Sequence, residues 1–399
     1  MKKIQTALIV IITLFLFTPI AQASTLDDVK FFVQTYYYGD VPENLTNMKN
    51  VDEIVNSLDE YSRFLSAKEY RTYLSAVAVD EYQPSSLPNV AATTPTKSPP
   101  AIIEHPITSS MLYGNIGYIK IATFSADLGK QVESHWTKLK KNGATGLIID
   151  LRYNGGGYVD SAEQLLGFYQ GVTNAYYLST REGNKMIKPI PTKTKFPKQS
   201  YVLVNRYSAS ASEIVAASLI DQQAGTIVGE KTKGKGSVQS FFEFDDGSAL
   251  KLTIGHFTGP KGTPVHKKGI QPTIKTEANK ELLDIHQRLL NASFSNKRYK
   301  KIGNLDNVPT TKKMTVEFTQ PMNFTNVQTS HTIELVKVGG VAVPITINQK
   351  AENTIEVIPN KNLQPGASYE LIIHPGLKNT NGRTVKQGTH IPITVKSAS

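Results

Sequence analysis

The chain of 399 residues, 39% of them hydrophobic, is long enough for two or three packed domains and too apolar to be disordered throughout. It contains no cysteine, which excludes disulfides, a thiol nucleophile, a thiolate zinc site and a lipid-modified N-terminal cysteine. The net charge of +11 suits contact with an anionic envelope, while the lysines are too scattered to form the basic helix or aromatic-basic stripe that nucleic acid demands.

Residues 1–23 read as a secretory signal. Lys2 and Lys3 precede an apolar run from Ile4 to Ile20, and Ala21-Gln22-Ala23 is a small-x-small cleavage site; the alternative is a retained anchor. The expected location is therefore secreted or envelope-associated. Residues 24–81 place apolar side chains at helical spacings in "LDDVKFFVQTYYYG" and "VDEIVNSLDEYSRFLSAKEYRTYLSAV", with Gly39 and Pro42 between them and Ser66 as an N-cap for "AKEYRTYL". These helices offer a surface for a homodimer. Residues 82–104, rich in Pro, Ser, Thr and Ala, form a linker.

Residues 105–278 alternate strand-like and helix-like pieces. "GYIKIATF", "TGLIIDLR", "SYVLVN" and "GTIVGE" read as strands, and "GKQVESHWTKLKKNG", "SAEQLLGFYQG" and "SASEIVAASLIDQ" as helices. That rhythm predicts an α/β domain with a largely parallel sheet. The following "SVQSFFEFDDGSALKLTIGHFTG" alternates and carries an Asp-Gly turn, predicting an antiparallel portion. Residues 279–307 supply a helical connector, "KELLDIHQRLL". Residues 308–399 give six short alternating strands separated by turns, the pattern of a β-sandwich.

The chemistry-bearing stretch is "RYSASASEIVAASLIDQ", Arg206 to Gln222, bracketed by a buried strand and an apolar helix. Ligand sites of α/β proteins gather at the carboxyl ends of parallel strands, and the first N–H groups of a helix face developing negative charge. Ser208, Ser210 and Ser212 are each candidates for a nucleophile or for a simple N-cap. A serine hydroxyl needs a base. The eight histidines (His105, His135, His256, His266, His286, His331, His374 and His390) lie in no triad context and read as surface residues. A buried lysine is the other source, because burial favours the neutral amine. In "KTKGKGSVQ", Lys235 stands between Gly234 and Gly236, which let backbone close around it, and Gln239 is placed to orient its amine; a solvated basic loop is the bland reading. The glycines of "DLRYNGGGYVDSAEQLL" supply either an oxyanion donor or merely a turn, and fit neither the dinucleotide nor the Walker pattern. No spacing suggests a metal, and no cofactor is expected.

Gly117 to Thr273 resembles the C-terminal processing, or tail-specific, serine proteases, through "GYIKIATF", "GLIIDLRYNGGG", "VLVNRYSASASEIVAASL", "VGEKTKGKGSVQ", "DGSALKLTIG" and "KKGIQPTI". The resemblance implies a ClpP/crotonase-like α/β core. It implies Ser210 as nucleophile, Lys235, 25 positions later, as general base, and Gln239 as the residue orienting the lysine. Ser208 and Ser212 become structural, and the backbone N–H groups of Ala211 and Gly156 form the oxyanion hole. The implied substrate is a protein or peptide, unfolded or entered from its C-terminus. Two departures stand out. Only residues 82–104 occupy the place where most members insert a PDZ-type domain, and "NGGG" replaces the usual Asn-Pro-Gly-Gly. The last domain resembles bacterial Ig-like modules through "MTVEFTQPM", "IEVIPNKNLQPGASYELIIHPGLKNTNGRTV" and "HIPITVK", which implies docking on the wall or envelope. The function expected is a secreted serine endopeptidase working through a Ser/Lys dyad; the alternative is a catalytically silent peptide-binding or scaffold protein that keeps the fold.

Overall fold

The computed structural model describes residues 25–77, 91–92, 106–295 and 298–398, so the signal segment and most of the 82–104 linker lie outside the described residues. A six-stranded sheet forms the centre, ordered 274–275, 226–229, 200–204, 146–150, 116–121 and 107–112. All neighbours run parallel except the last pair, a hairpin. Side chains alternate across it. Leu147, Ile149, Val202 and Val204 face helices Leu128–Lys141, Val159–Gly167 and Ala211–Gln222. Ile148, Leu203 and Val228 face helix Glu281–Phe294 through Ile285. Burial on both faces is why these strands are continuous apolar runs in the sequence.

A second, antiparallel sheet is built on strand Ala249–Thr258, which pairs with Ser237–Glu243, Arg63–Leu65 and Tyr176–Thr180. The Asp246-Gly247 turn closes its long hairpin, with Gly247 at φ 79° and the Ser248 N–H donating to Asp246. The hairpin from Tyr176 to Ile187 was not foreseen, because its polar residues mask the alternation.

The N-terminal segment differs from the helical reading at one place. Helix Val51–Asn56 stops short, and Arg63–Leu65 is a strand before helix Ala67–Val77 resumes. Asp59 causes the break: its carboxylate accepts the N–H groups of Tyr61 (3.1 Å) and Ser62 (2.8 Å), a local turn that competes with helix. Ser66 does cap the last helix, trading hydrogen bonds with Glu69 as a capping box. Helix Thr25–Tyr36 buries Val29 and Val33 against Leu250 and Leu252 of its own chain. Ala91–Ala92 pair antiparallel with Gly157–Tyr158.

The C-terminal strands fall in two sheets around one core, led by Leu335, Ile355, Val357, Leu371 and Ile393. Tyr299–Lys301 and Leu305–Val308 join the larger sheet beside Gly388–Val395. Helix Glu281–Phe294 also packs on this domain, through Leu290 and Phe294 against Val336 and Ile372. Two histidines read as surface residues are in fact buried at this junction. His286 accepts the Gly339 N–H at Nδ1 and bonds the Tyr113 carbonyl with Nε2; His390 meets Glu370 at 3.2 Å. Periodicity is blind to such tertiary junctions. No helix among the described residues is long and apolar enough to cross a membrane.

Candidate active site

The loop after strand Ser200–Val204 is held by side chains on either side of Ser210. Ser208 Oγ donates to the Leu151 carbonyl (2.8 Å) and accepts from Asn205 N (2.9 Å). Ser212 Oγ donates to the Asn154 carbonyl (3.0 Å), which also accepts from Ala209 N. The two flanking serines thus tie this loop to the glycine turn, each hydroxyl donating to a backbone carbonyl.

Ser210 is different. Its backbone sits at φ 57°, ψ −114°, a conformation that costs a non-glycine residue about 1–3 kcal/mol and is kept only where the surroundings enforce it. The side chain is 1% exposed, and its hydroxyl has no hydrogen-bond partner among the described residues. Ala211 follows as the first residue of the helix, where an N–H has no intrahelical acceptor.

Lys235 is fully buried, and its Nζ donates to Gln239 Oε1 at 2.8 Å. Gln239 is oriented in turn, its Nε2 donating to Ser237 Oγ (2.9 Å) and Thr253 Oγ1 (3.3 Å). The flanking glycines are needed for close approach: a Cβ on Gly236 would lie 2.4 Å from His266 N, and Gly234 sits at φ 93°. Burial, reinforced by the nearby Lys251, holds the Lys235 amine well below the usual lysine range. Lys251 is itself buried and pushed down to about 7, again by burial first.

One residue that the sequence reading missed joins the two halves. The buried Glu213 carboxylate accepts from Ser210 N (2.9 Å), Thr232 Oγ1 (2.5 Å), Gly234 N (2.6 Å) and Lys235 N (2.8 Å). Ser210 N and Lys235 N share the same oxygen, Oε2, so their backbones are pinned side by side. Burial raises the Glu213 carboxyl, and these four donors work against that rise. The Ser-x-x-Glu spacing of a capping box, Ser210 to Glu213, was the available signal.

The glycine turn lies alongside. Asn154 is buried, its Nδ2 donating to the Ile121 carbonyl (2.9 Å) and its Oδ1 accepting the Gly156 N–H (2.8 Å). The N–H expected to serve the oxyanion is thus engaged in the resting structure. Gly157, at φ 146°, approaches so closely that a Cβ would lie 2.3 Å from the Phe124 carbonyl oxygen. Gly157→Ala is therefore expected to cost more than about 2 kcal/mol, read as a lower urea midpoint with unchanged slope. Wild-type stability in that variant would show that the turn tolerates a side chain. Arg152 anchors the base of the turn by pairing with Asp150 (2.6 Å) and with Glu281 (2.8 Å). Of the residues singled out from sequence, Ser210, Ala211, Lys235 and Gln239 thus converge on one buried site, with Gly156 on the adjoining turn.

Residues 115–276 match the model of peptidase family S41, and residues 303–394 match a bacterial Ig-like domain. The chain is 38% identical over 172 residues to the carboxy-terminal processing protease CtpA of Bacillus subtilis (43% of this chain, 37% of that protein). It is 37% identical over 158 residues to a carboxyl-terminal-processing protease of Synechocystis (40% of this chain, 37% of that protein). The similarity therefore spans little more than a third of these relatives. Among solved structures, the photosystem II D1 C-terminal processing protease aligns with a TM-score of 0.47 at 20% identity, covering 65% of this chain and 93% of that one. Residues 115–276 are thus similar to peptidase family S41 and to proteins named carboxy-terminal processing proteases, and residues 303–394 to a bacterial Ig-like domain.

Proposed function

We propose that the protein is a secreted serine endopeptidase of the C-terminal processing type, acting on envelope or exported proteins through Ser210 and Lys235. The observation that carries this reading is the pinning of a strained, buried serine with an unpartnered hydroxyl to a fully buried lysine by one carboxylate oxygen. Burial holds such an amine well below the usual lysine range, favouring the neutral form that can take a proton.

In the mechanism, a peptide carbonyl enters above the N-terminus of helix Ala211–Gln222. The Lys235 amine removes the Ser210 proton as Oγ attacks the carbonyl carbon. The Ala211 N–H, at the helix terminus, receives the oxyanion, with the glycine turn as the second donor once Gly156 N–H leaves Asn154. Lys235 then gives its proton to the leaving amine, and water, deprotonated by the same amine, hydrolyses the acyl-enzyme. Gln239 holds the amine through both transfers. The resting hydroxyl has no partner among the described residues, and on this reading its bond to the lysine amine forms as substrate is seated, as catalytic hydrogen bonds tighten in the Michaelis complex. The basic charge and the Ig-like domain support a role of the latter in docking on an anionic wall or envelope.

The test incubates the chain from Ser24 to Ser399 with casein beside an otherwise identical Ser210→Ala protein, products being read by mass spectrometry. Fragments from the first alone are expected. Fragments from both, or from neither, would sink the assignment, the latter outcome favouring a peptide-binding protein.

A further inference from the structure

We propose that Tyr61 is a positioning residue of the active site, brought by the N-terminal arm to cover the amine of Lys235. The proposal rests on the reading of Lys235 as general base and adds a member from a part of the chain, residues 57–65, well outside the matched peptidase domain.

The geometry is direct. The Lys235 Nζ lies 5.3 Å from the centre of the Tyr61 ring, on its face. The arm that carries the ring is fastened at several points. Tyr37 OH accepts the Asp59 N–H (2.9 Å), and Asp59 turns the chain by accepting from Tyr61 N and Ser62 N. Arg63–Leu65 then pairs with Ala249–Lys251. Ser62 Oγ accepts the Thr253 N–H (3.0 Å), while Thr253 Oγ1 accepts from Gln239, the residue that holds the lysine. Thr253 is thus clamped by the arm on its backbone and holds the orienting amide with its side chain. A chain of contacts runs from the arm to the base without leaving the protein.

An aromatic face suits this position. It excludes water from the amine, yet its negative π-surface tolerates the ammonium that forms transiently during proton transfer. The phenol is pushed up to about 12 by burial, with Glu60 adding to the effect, so it stays neutral and supplies no anion to hold the lysine charged. The other charged groups facing the amine are Lys251 from the neighbouring strand, Lys233 from its own loop, Glu213 from helix Ala211–Gln222 and Asp59 from the arm. None of them shields it from solvent as a ring does. Two effects oppose each other if the ring is removed. Loss of the π-face disfavours the ammonium, whereas entry of water favours it. Desolvation of an ion is the larger of the two, so removal raises the lysine pKa toward its ordinary value.

The test follows the rate at which a fluorophosphonate probe labels Ser210, from about pH 5 to pH 10, in the 24–399 chain. Labelling is read by intact mass and checked against Ser210→Ala. In the wild type the rate rises with pH as the lysine loses its proton. In Tyr61→Ala this limb is expected to move at least about one pH unit higher, with labelling on its rising part falling about tenfold and the alkaline plateau little changed. Tyr61→Phe, which keeps the ring, restores the wild-type limb. A purely structural role would lower the amplitude at every pH without moving the limb. Should Tyr61→Ala fail to fold, Tyr61→Gln, which keeps bulk without a ring, reads the same limb. An unmoved limb in the ringless variant overturns the proposal while leaving the dyad intact; absence of Ser210-dependent labelling in the wild type overturns the dyad and the proposal together.

Discussion

Lys235→Met is expected to lower proteolysis roughly 10³–10⁴-fold while leaving the chain folded, since it removes the proton acceptor and little else. Methionine fills nearly the same volume in a site where Lys235 is fully buried. Two opposing changes in stability accompany it. The wild-type amine is held well below its ordinary value by burial, so between that lowered value and the unfolded value of about 10.4 the unfolded chain binds the extra proton. Within this window Lys235 opposes folding, and stability rises with pH through it. Methionine relieves that cost near neutral pH. Against it, Gln239 Oε1 loses its donor, a loss of about 1–3 kcal/mol. The expected Tm at pH 7 is within about 5 °C of wild type. The stability gain from raising pH should be smaller in the variant. The same lysine predicts that kcat/KM of the wild type rises with pH through the acid side of its profile, because only the neutral amine is a base. A Lys235→Met protein that cleaves casein at the wild-type rate would falsify the dyad.

Glu213→Ala is expected to be the most damaging substitution to the fold of the site. It strands four buried donors at once: Ser210 N, Gly234 N, Lys235 N and Thr232 Oγ1. At about 1–3 kcal/mol for each unsatisfied group, the loss is on the order of 4–12 kcal/mol, comparable with the whole stability of a domain. Glu213→Gln is the sharper experiment. It keeps the shape but turns one acceptor oxygen into an NH₂ facing N–H donors, so at least one of the two loops must move. We expect this variant to be soluble, to unfold at a clearly lower urea concentration and to have lost turnover. The reason is that the pinning of Ser210 beside Lys235 depends on Oε2 accepting from both. Wild-type activity and wild-type urea midpoint in Glu213→Gln would show that the carboxylate is only a helix cap.

Much of the architecture is local and was therefore legible in the sequence. Apolar runs such as "GLIID" and "YVLV" announce strands buried on both faces, and the Asp246-Gly247 pair announces a hairpin. Glycines beside Lys235 announce backbone approach, which Gly236 against His266 N bears out. The resemblance in "YSASASE" and "KGKGSVQ" picked out the residues that now converge around one buried site. What the linear text left ambiguous were choices among chemically equal residues. Three serines stand within five positions, and only the fold engages Ser208 with Leu151 and Ser212 with Asn154, leaving the Ser210 hydroxyl without a partner among the described residues.

The rest was decided by partners far apart in the chain. Asp59 broke a helix that periodicity continued, because a side chain that bonds nearby N–H groups outbids the helix only where the resulting strand can pair, here with Ala249–Lys251. Tyr61 carries no sequence signal as an active-site residue; its position over Lys235 exists only because that pairing places it there. His286 and His390 gave no sign of burial, since an isolated polar residue looks the same whether it faces water or a neighbouring domain. The sequence by itself determined the order and type of most elements, since propensity and periodicity act over a few residues. Tertiary structure alone decided which polar groups lost water and which found one another. Burial and pairing depend on segments brought together from residues 37 to 253, and they set whether a lysine is a surface charge or a base.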